Sequence, residues 1–223
     1  MPPAGDVALI FDLDNTLILS PTDFLAVRRR LIDLLEQAGV RAGAREDLMA
    51  LSLPDLVRVG EQADPGLGPR MWEVIGAAEA DGLARAAVAP GAREVLAALR
   101  ARGYRLALLT NASGRGLRER LAALGLLEYF DVVATRDDVP DLKPGGGGIV
   151  SVLRRLPGVR RAYMIGDAWI DAEAAVRAGV PFIGVGPKRS AVEARGLPVW
   201  AWVDDLRQIL DLELDPREGG AGD

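Results

Sequence analysis

An apolar run, Val7-Ala8-Leu9-Ile10-Phe11, stops abruptly at Asp12-Leu13-Asp14-Asn15-Thr16, and this junction constrains the fold more than any other stretch of the chain. Five consecutive apolar residues read as a strand buried on both faces, the kind found inside a parallel sheet. Alternate residues of an extended chain share a side, so Asp12 and Asp14 face one point at the strand's carboxyl end. Two crowded carboxylates repel unless a cation or a shared proton holds them. The junction therefore reads as a metal site or an acid/base pair, with a plain turn as the alternative, since Asp and Asn side chains also bond their own backbone.

Two absences narrow the chemistry. The chain has no Cys and no His, which excludes thiol nucleophiles, disulfides, thiolate zinc sites and every Ser-His or Cys-His catalytic pair. Chemistry must come from carboxylates, hydroxyls, Lys or Arg. Lysine occurs only at Lys143 and Lys188, so each is worth a question. A net charge of −5 argues against nucleic acid or an anionic membrane as the main partner. The first residues, Met1-Pro2-Pro3-Ala4-Gly5-Asp6, carry no basic region, and the two acids interrupt the apolar run that follows. Neither a signal peptide nor a spanning helix is expected, and a cytoplasmic location is.

Along the chain, Ser20-Pro21-Thr22-Asp23 reads as a helix start, with Ser as the cap and Pro at the first helical position. Phe24, Val27, Leu31, Leu34 and Leu35 then follow helical spacing up to Gly39. Further helical patterns run from about Arg45 to Val59, with Pro54 as a break, and from about Pro69 to Ala87. From Pro90 helices and strands alternate: helix Gly91 to Arg102, strand Tyr104 to Leu109, helix Arg115 to Leu124, strand Val132 to Ala134. Helix Ile149 to Leu156, strand Ala162 to Ile165, helix Asp171 to Ala178 and strand Phe182 to Val185 follow. Such alternation implies an α/β fold, a doubly wound parallel sheet with a Rossmann-like core. The expected domains are a core of 1–18 and 88–215, a helical cap of 19–87 and a disordered tail of 216–223.

Spacing supports the insertion. Thr110 to Lys143 is 33 residues and Lys143 to Asp167 is 24, each near one strand-helix-strand step, whereas Asp12 to Thr110 is 98. The excess matches the helical segment. Open parallel sheets bind ligands beyond the carboxyl ends of their strands. Asp12, Asp14, Thr110, Asn111 and Asp167 all fall there, and Lys143 lies in a loop able to reach the same edge. Acids for a divalent cation, a hydroxyl and a Lys for an anion, and a carboxylate nucleophile are the parts phosphoryl transfer needs.

Four motifs, Asp12-Leu13-Asp14-Asn15-Thr16, Thr110-Asn111, Lys143-Pro144 and Gly166-Asp167-Ala168-Trp169-Ile170-Asp171, resemble those of the haloacid dehalogenase-like hydrolase superfamily. The likeness spans about Val7 to Gly186 and is strongest to the phosphoglycolate phosphatase-like group with an inserted helical cap. It implies that Asp12 is the nucleophile that forms an aspartyl-phosphate and that Asp14 is the general acid, then base. It implies Mg²⁺ held by the Asp12 and Asp167 carboxylates and the Asp14 main-chain carbonyl. Thr110, Asn111 and Lys143 would bind the phosphoryl group, Asp171 would orient Lys143 or a metal-bound water, and the cap would exclude bulk water. The substrate would be a small phosphorylated metabolite.

Relatives divide on the same residues. Asp14 favours phosphorus over carbon chemistry, and the lack of any Lys before Lys143 closes the Schiff-base route of the phosphonate hydrolases. Hexose-phosphate mutases share the cap and all four motifs and stay as an alternative, as does a non-catalytic module that accepts phosphate on Asp. Four other features remain, of which all but Trp169 take the plainer of two readings. Gly145-Gly146-Gly147-Gly148 reads as a slack connection, Trp169 as a packed aromatic or an entrance residue, Lys188 as a surface residue, and Arg28-Arg29-Arg30 as a solvated helix face.

Overall fold

The computed structural model describes residues 6–214, and the tail expected at 216–223 lies outside them. In chain order come β1 (Val7–Phe11), β2 (Ile18–Leu19), α1 (Phe24–Gln37), α2 (Arg45–Ala50), α3 (Leu53–Ala63) and α4 (Leu67–Arg85). Next are β3 (Ala87–Val88), α5 (Ala92–Ala101), β4 (Arg105–Leu109), α6 (Leu117–Ala123) and β5 (Val132–Ala134). The remainder is α7 (Gly147–Arg154), β6 (Arg161–Gly166), α8 (Trp169–Ala178), β7 (Phe182–Val185), α9 (Arg189–Glu193) and β8 (Ala201–Val203).

Every residue of β1 is buried, as its unbroken apolar run requires of a central strand. The parallel sheet has the order β5-β4-β1-β6-β7-β8. The chain winds outward from β1 to β5, then crosses back past β1 to β6 and winds outward to β8. That reversal makes the fold a doubly wound α/β sheet and opens a crevice at the carboxyl ends of β1 and β6. Phe11 is in register with Ile165, and the Asp12 N–H donates to the Ile165 carbonyl at 2.8 Å. The ladder thus sets the residue after β1 beside the end of β6. The apolar core of this part joins Ile10, Ala107, Leu109, Ile149, Val152, Met164 and Phe182. Each such large side chain contributes about 1.5–3 kcal/mol by leaving water.

The chain divides into two compact units, one running up to Leu19, then Ala87–Gly114 and from Leu121 on, the other comprising Ser20–Ala86 with Arg115–Arg120. β2 and β3 pair antiparallel where the chain leaves the first unit and returns to it, a ribbon too short to read from sequence. The second unit is helical. Val27, Leu31 and Leu35 of α1, Leu56 of α3 and Met71 and Ile75 of α4 form its core, the spacing that puts one stripe of each helix inward. Arg120 joins it by donating to the Leu83 and Ala86 carbonyls at 3.0 and 2.7 Å.

Local differences have local causes. Asp23, not Ser20, caps α1 by accepting the Ala26 N–H at 2.9 Å. The Ser20 hydroxyl instead bonds Thr22 Oγ1 at 2.6 Å, a turn that precedes the helix. Pro54 separates two helices because Ser52 starts a new one with Pro in its first turn. Beyond β7 the short strand β8 was not anticipated. A strand of three residues gives little periodicity, and what defines β8 is its pairing with β7.

Candidate active site

The site grows from the turn that closes β1. The N–H groups of Thr16, Leu17 and Ile18 all donate to the Leu13 carbonyl, at 3.3, 2.9 and 3.0 Å, and Asn15 sits at φ 60°. Asn tolerates this left-handed conformation better than most residues. The turn reading of the junction therefore holds. The segment makes a tight turn, and the turn leaves Asp12 buried at the strand end while Asp14 is half-buried, its main chain bridged to Ile18.

Lys143 is the hub. Its buried ammonium donates to Asp12 Oδ1 at 2.5 Å, to Asp171 Oδ1 at 2.7 Å and to the Leu109 carbonyl at 3.2 Å. Three acceptors use all three of its protons. Its main chain is held just as firmly, since Asn111 Nδ2 donates to the Lys143 carbonyl at 2.7 Å and Asn111 Oδ1 accepts the Lys143 N–H at 2.9 Å. The resemblance gives Asn111 to the phosphoryl oxygens. In the structure its carboxamide also places Lys143, with one N–H of Nδ2 and one lone pair of Oδ1 engaged. Next to it, the buried Thr110 hydroxyl accepts the Ala112 N–H at 3.1 Å, which keeps its own proton for donation.

Asp167 and Asp171 follow β6. Asp171 Oδ2 accepts the Ala168 N–H at 3.1 Å, so both Asp171 oxygens are engaged, one by Lys143 and one at the start of α8. Gly166 makes room for it: a Cβ there would lie 2.5 Å from the Asp171 carboxyl carbon. Asp167 is buried, and its Oδ2 pairs with the ammonium of Lys188. Lys188 is thus no mere surface residue. The loop after β7 carries it to the acid cluster, a placement that depends on a strand end 21 residues away and left no local motif.

Electrostatics reflect the crowding. Burial is the largest influence on Asp171 and raises its pKa; Lys143 opposes, while Asp12 and Asp167 add to the rise. Asp167 is raised by burial and by the Asp12 charge, with Lys188 in opposition. Burial would lower Lys143, yet Asp12 and Asp171 outweigh it and hold the ammonium above its ordinary range. The cluster is short of positive charge. Among the described residues, carboxylate oxygens of Asp12, Asp167 and Asp171 lie within 4.8 Å of one another. An oxygen-only set of this size suits a hard divalent cation such as Mg²⁺, which takes one or two carboxylates and keeps several waters. With Asp171 committed twice, Asp12 and Asp167 are the ones able to serve.

The remaining features resolve individually. The glycine run is not slack. A Cβ on Gly145 would lie 2.0 Å from Asp141, on Gly146 2.9 Å from the main chain of Arg177 and Ala178, and on Gly147 2.7 Å from the Asp141 Cβ. These positions are glycine because α7 begins in close contact with α8 and with the preceding loop. Trp169 packs on the core, and the Arg195 guanidinium lies 3.7 Å from its ring centroid. Arg28 donates to the Leu51 carbonyl at 3.1 Å while Arg29 and Arg30 are exposed, as a solvated face requires. Asp137 was not anticipated. It accepts the Gly114 N–H at 2.8 Å and the Ser113 hydroxyl at 3.1 Å, which ties the loop after β4 to the loop after β5.

A family model described as haloacid dehalogenase-like hydrolase matches residues 7–179. The phosphoglycolate phosphatase of Rhodospirillum rubrum is 33% identical over 225 residues, which cover 96% of this chain and 93% of that one. The plasmid phosphoglycolate phosphatase of Cupriavidus necator is 31% identical over 182 residues, 78% of each chain. The solved structure of a hydrolase from Pseudomonas syringae aligns with a TM-score of 0.69 at 20% identity, over 92% of this chain and 96% of that one, a likeness of fold.

Proposed function

Since the chain belongs to the haloacid dehalogenase-like hydrolases and is a phosphoric monoester hydrolase, we propose that it is a Mg²⁺-dependent phosphatase of a small phosphorylated metabolite that works through an aspartyl-phosphate on Asp12. A phosphoglycolate-like or sugar phosphate monoester is the substrate class, supported by the name of the 33%-identical relative. The observation that carries this reading is the buried Asp12 carboxylate at the switch point of the sheet, bonded to Lys143 and within metal-ligand distance of Asp167.

The Asp12 carboxylate attacks phosphorus as the bond from phosphorus to the alcohol oxygen breaks, and Asp14 gives its proton to the departing alkoxide. Asp14 then takes a proton from water as that water attacks phosphorus, the bond to Asp12 breaks, and inorganic phosphate leaves with Asp12 regenerated. Lys143 offsets the phosphoryl charge, held in place by Asn111 and Asp171, and the Thr110 O–H donates to a phosphoryl oxygen. Asp12, Asp167 and the Asp14 main-chain carbonyl would hold Mg²⁺. When bound, the cation neutralises charge on the phosphoryl oxygens. Substrate choice is assigned to the helical unit, as the cap of 19–87. No helix among the described residues is long and apolar enough to cross a membrane, and a cytoplasmic location is part of the proposal.

The test is phosphate release from 2-phosphoglycolate, several hexose phosphates and p-nitrophenyl phosphate, with MgCl₂ and with EDTA. Release that requires Mg²⁺ is expected. Activity indifferent to EDTA, or isomerised sugar phosphate with little free phosphate, would overturn the reading, the second outcome in favour of a mutase.

A further inference from the structure

The chain has only two lysines, and both ammonium groups end on the same acid cluster. They are held differently. Lys143 is 1% exposed between Asp12 and Asp171, whereas the Lys188 side chain is 47% exposed and meets Asp167, itself only 6% exposed. One lysine is locked in, and the other reaches in from water.

The backbone that delivers Lys188 is fixed on both sides. The Gly186 N–H donates to the Val203 carbonyl at 2.9 Å, and Trp202 Nε1 donates to the Gly186 carbonyl at 2.8 Å. Trp202 lies across Gly184, where a Cβ would come within 1.9 Å of its ring, so β8 settles directly on β7 and sets the height of the loop. On the other side the Lys188 carbonyl accepts the Ala191 N–H at 3.1 Å at the start of α9. Only the flexible side chain is left to move. Its four-carbon stem can withdraw to solvent with no rearrangement of the sheet.

Charge counting shows why it would move. Asp12, Asp167 and Asp171, when ionised, carry −3, and the two lysines carry +2, a net of −1. A divalent cation added with both lysines in place makes +1, whereas withdrawal of one lysine restores neutrality. Like charges a few ångströms apart repel, the more strongly where the site is partly shut off from water. Lys143 is held by three acceptors in the interior, so Lys188 is the one able to yield.

We propose that Lys188 is a displaceable counter-ion of Asp167, which occupies that carboxylate in the metal-free enzyme, yields it when the divalent cation binds, and so sets the cation affinity of the site. The proposal rests on the reading of this cluster as a Mg²⁺ site. It makes Lys188 a positioning residue for Asp167, with an effect that appears in cation binding before any substrate is present.

The test is isothermal titration of metal-free wild type, Lys188→Gln and Lys188→Arg with MgCl₂, with MnCl₂ followed by electron paramagnetic resonance as a second probe. Loss of a half-exposed competing charge should tighten cation binding in Lys188→Gln on the order of three- to tenfold. Lys188→Arg, which keeps the charge, should stay within about twofold of wild type. In thermal melts, Lys188→Gln should gain more from added Mg²⁺ than wild type does, because binding to the folded state alone is linked to stability by mass action. Equal or weaker cation binding by Lys188→Gln would overturn the proposal while the Mg²⁺ reading stands. So would an unchanged cation Kd with a raised substrate KM, which would make Lys188 a substrate contact. If wild type binds neither cation, the Mg²⁺ reading fails and the proposal fails with it.

Discussion

The sheet unit and the helical unit solve the same folding problem with different materials. In the helical unit the interior is apolar, from Val27 and Leu31 through Met71 and Ile75, and its ion pairs, such as Arg45 with Asp33 and Glu36, stand in solvent. In the sheet unit the carboxyl ends of the strands bury Asp12, Thr110, Lys143, Asp167 and Asp171. Apolar packing can be met by many side chains of similar volume, but a buried charge needs one particular partner in one geometry. The helical unit is therefore tolerant in sequence, and the strand ends of the sheet unit are not.

The largest test of this contrast removes the chemistry and spares the fold. Asp12→Asn should lower kcat on the order of 10⁴-fold or more in a phosphate-release assay while the far-ultraviolet circular dichroism is unchanged. Lys143→Met should act on both, because it leaves two buried carboxylates without their cation. Urea unfolding should show a loss of about 3–5 kcal/mol. Leu35→Ala, deep in the helical unit, should cost a comparable amount, about 2–5 kcal/mol, through the cavity it opens. Its Mg²⁺ isotherm should nevertheless match wild type, and a changed isotherm would break the comparison. A smaller effect is expected at Gly146→Ala, where the new methyl would press on the main chain of Arg177 and Ala178. Overpacking of this kind costs about 1–3 kcal/mol in the same assay.

The smallest effect concerns acid. Burial pushes the Asp131 pKa up, but the Leu106 N–H at 2.9 Å and Arg105 and Arg100 at 3.2 and 2.7 Å outweigh it and hold the folded value below 3.8. A depressed folded pKa gives stability that is complete above the unfolded value and lost as pH falls through the folded one. Asp131→Asn should thus lower stability modestly at neutral pH and flatten the part of the curve below about pH 4, so that its deficit against wild type shrinks as the pH falls, as thermal midpoints against pH would show.

What could be read in advance follows the same division. β1, the parallel sheet and the four motifs were legible because buried strands are continuous apolar runs and because Asp12, Thr110 and Asp167 each come directly after a strand, with Lys143 in the loop that follows β5. The helices of the inserted segment were legible from spacing alone, although Asp23 rather than Ser20 caps α1, since either residue type can do so. Lys188, the glycine run and β8 were not legible. Each is defined by something distant in sequence: Lys188 by Asp167, Gly146 by α8, and Trp202 of β8 by Gly184 of β7. Asn111 was assigned to phosphate by its motif, and only the structure shows its carboxamide clamped to Lys143.

The central claim, that Asp12 is the nucleophile of this acid cluster, is tested most directly by acid-quenching the enzyme within milliseconds of mixing with 2-phosphoglycolate and Mg²⁺ and locating the bound phosphoryl group by peptide mass spectrometry. The account predicts a transient phosphoryl group on the peptide that contains Asp12, absent in Asp12→Asn. Turnover with that peptide unmodified at every time point, or with the label on another residue, would contradict it.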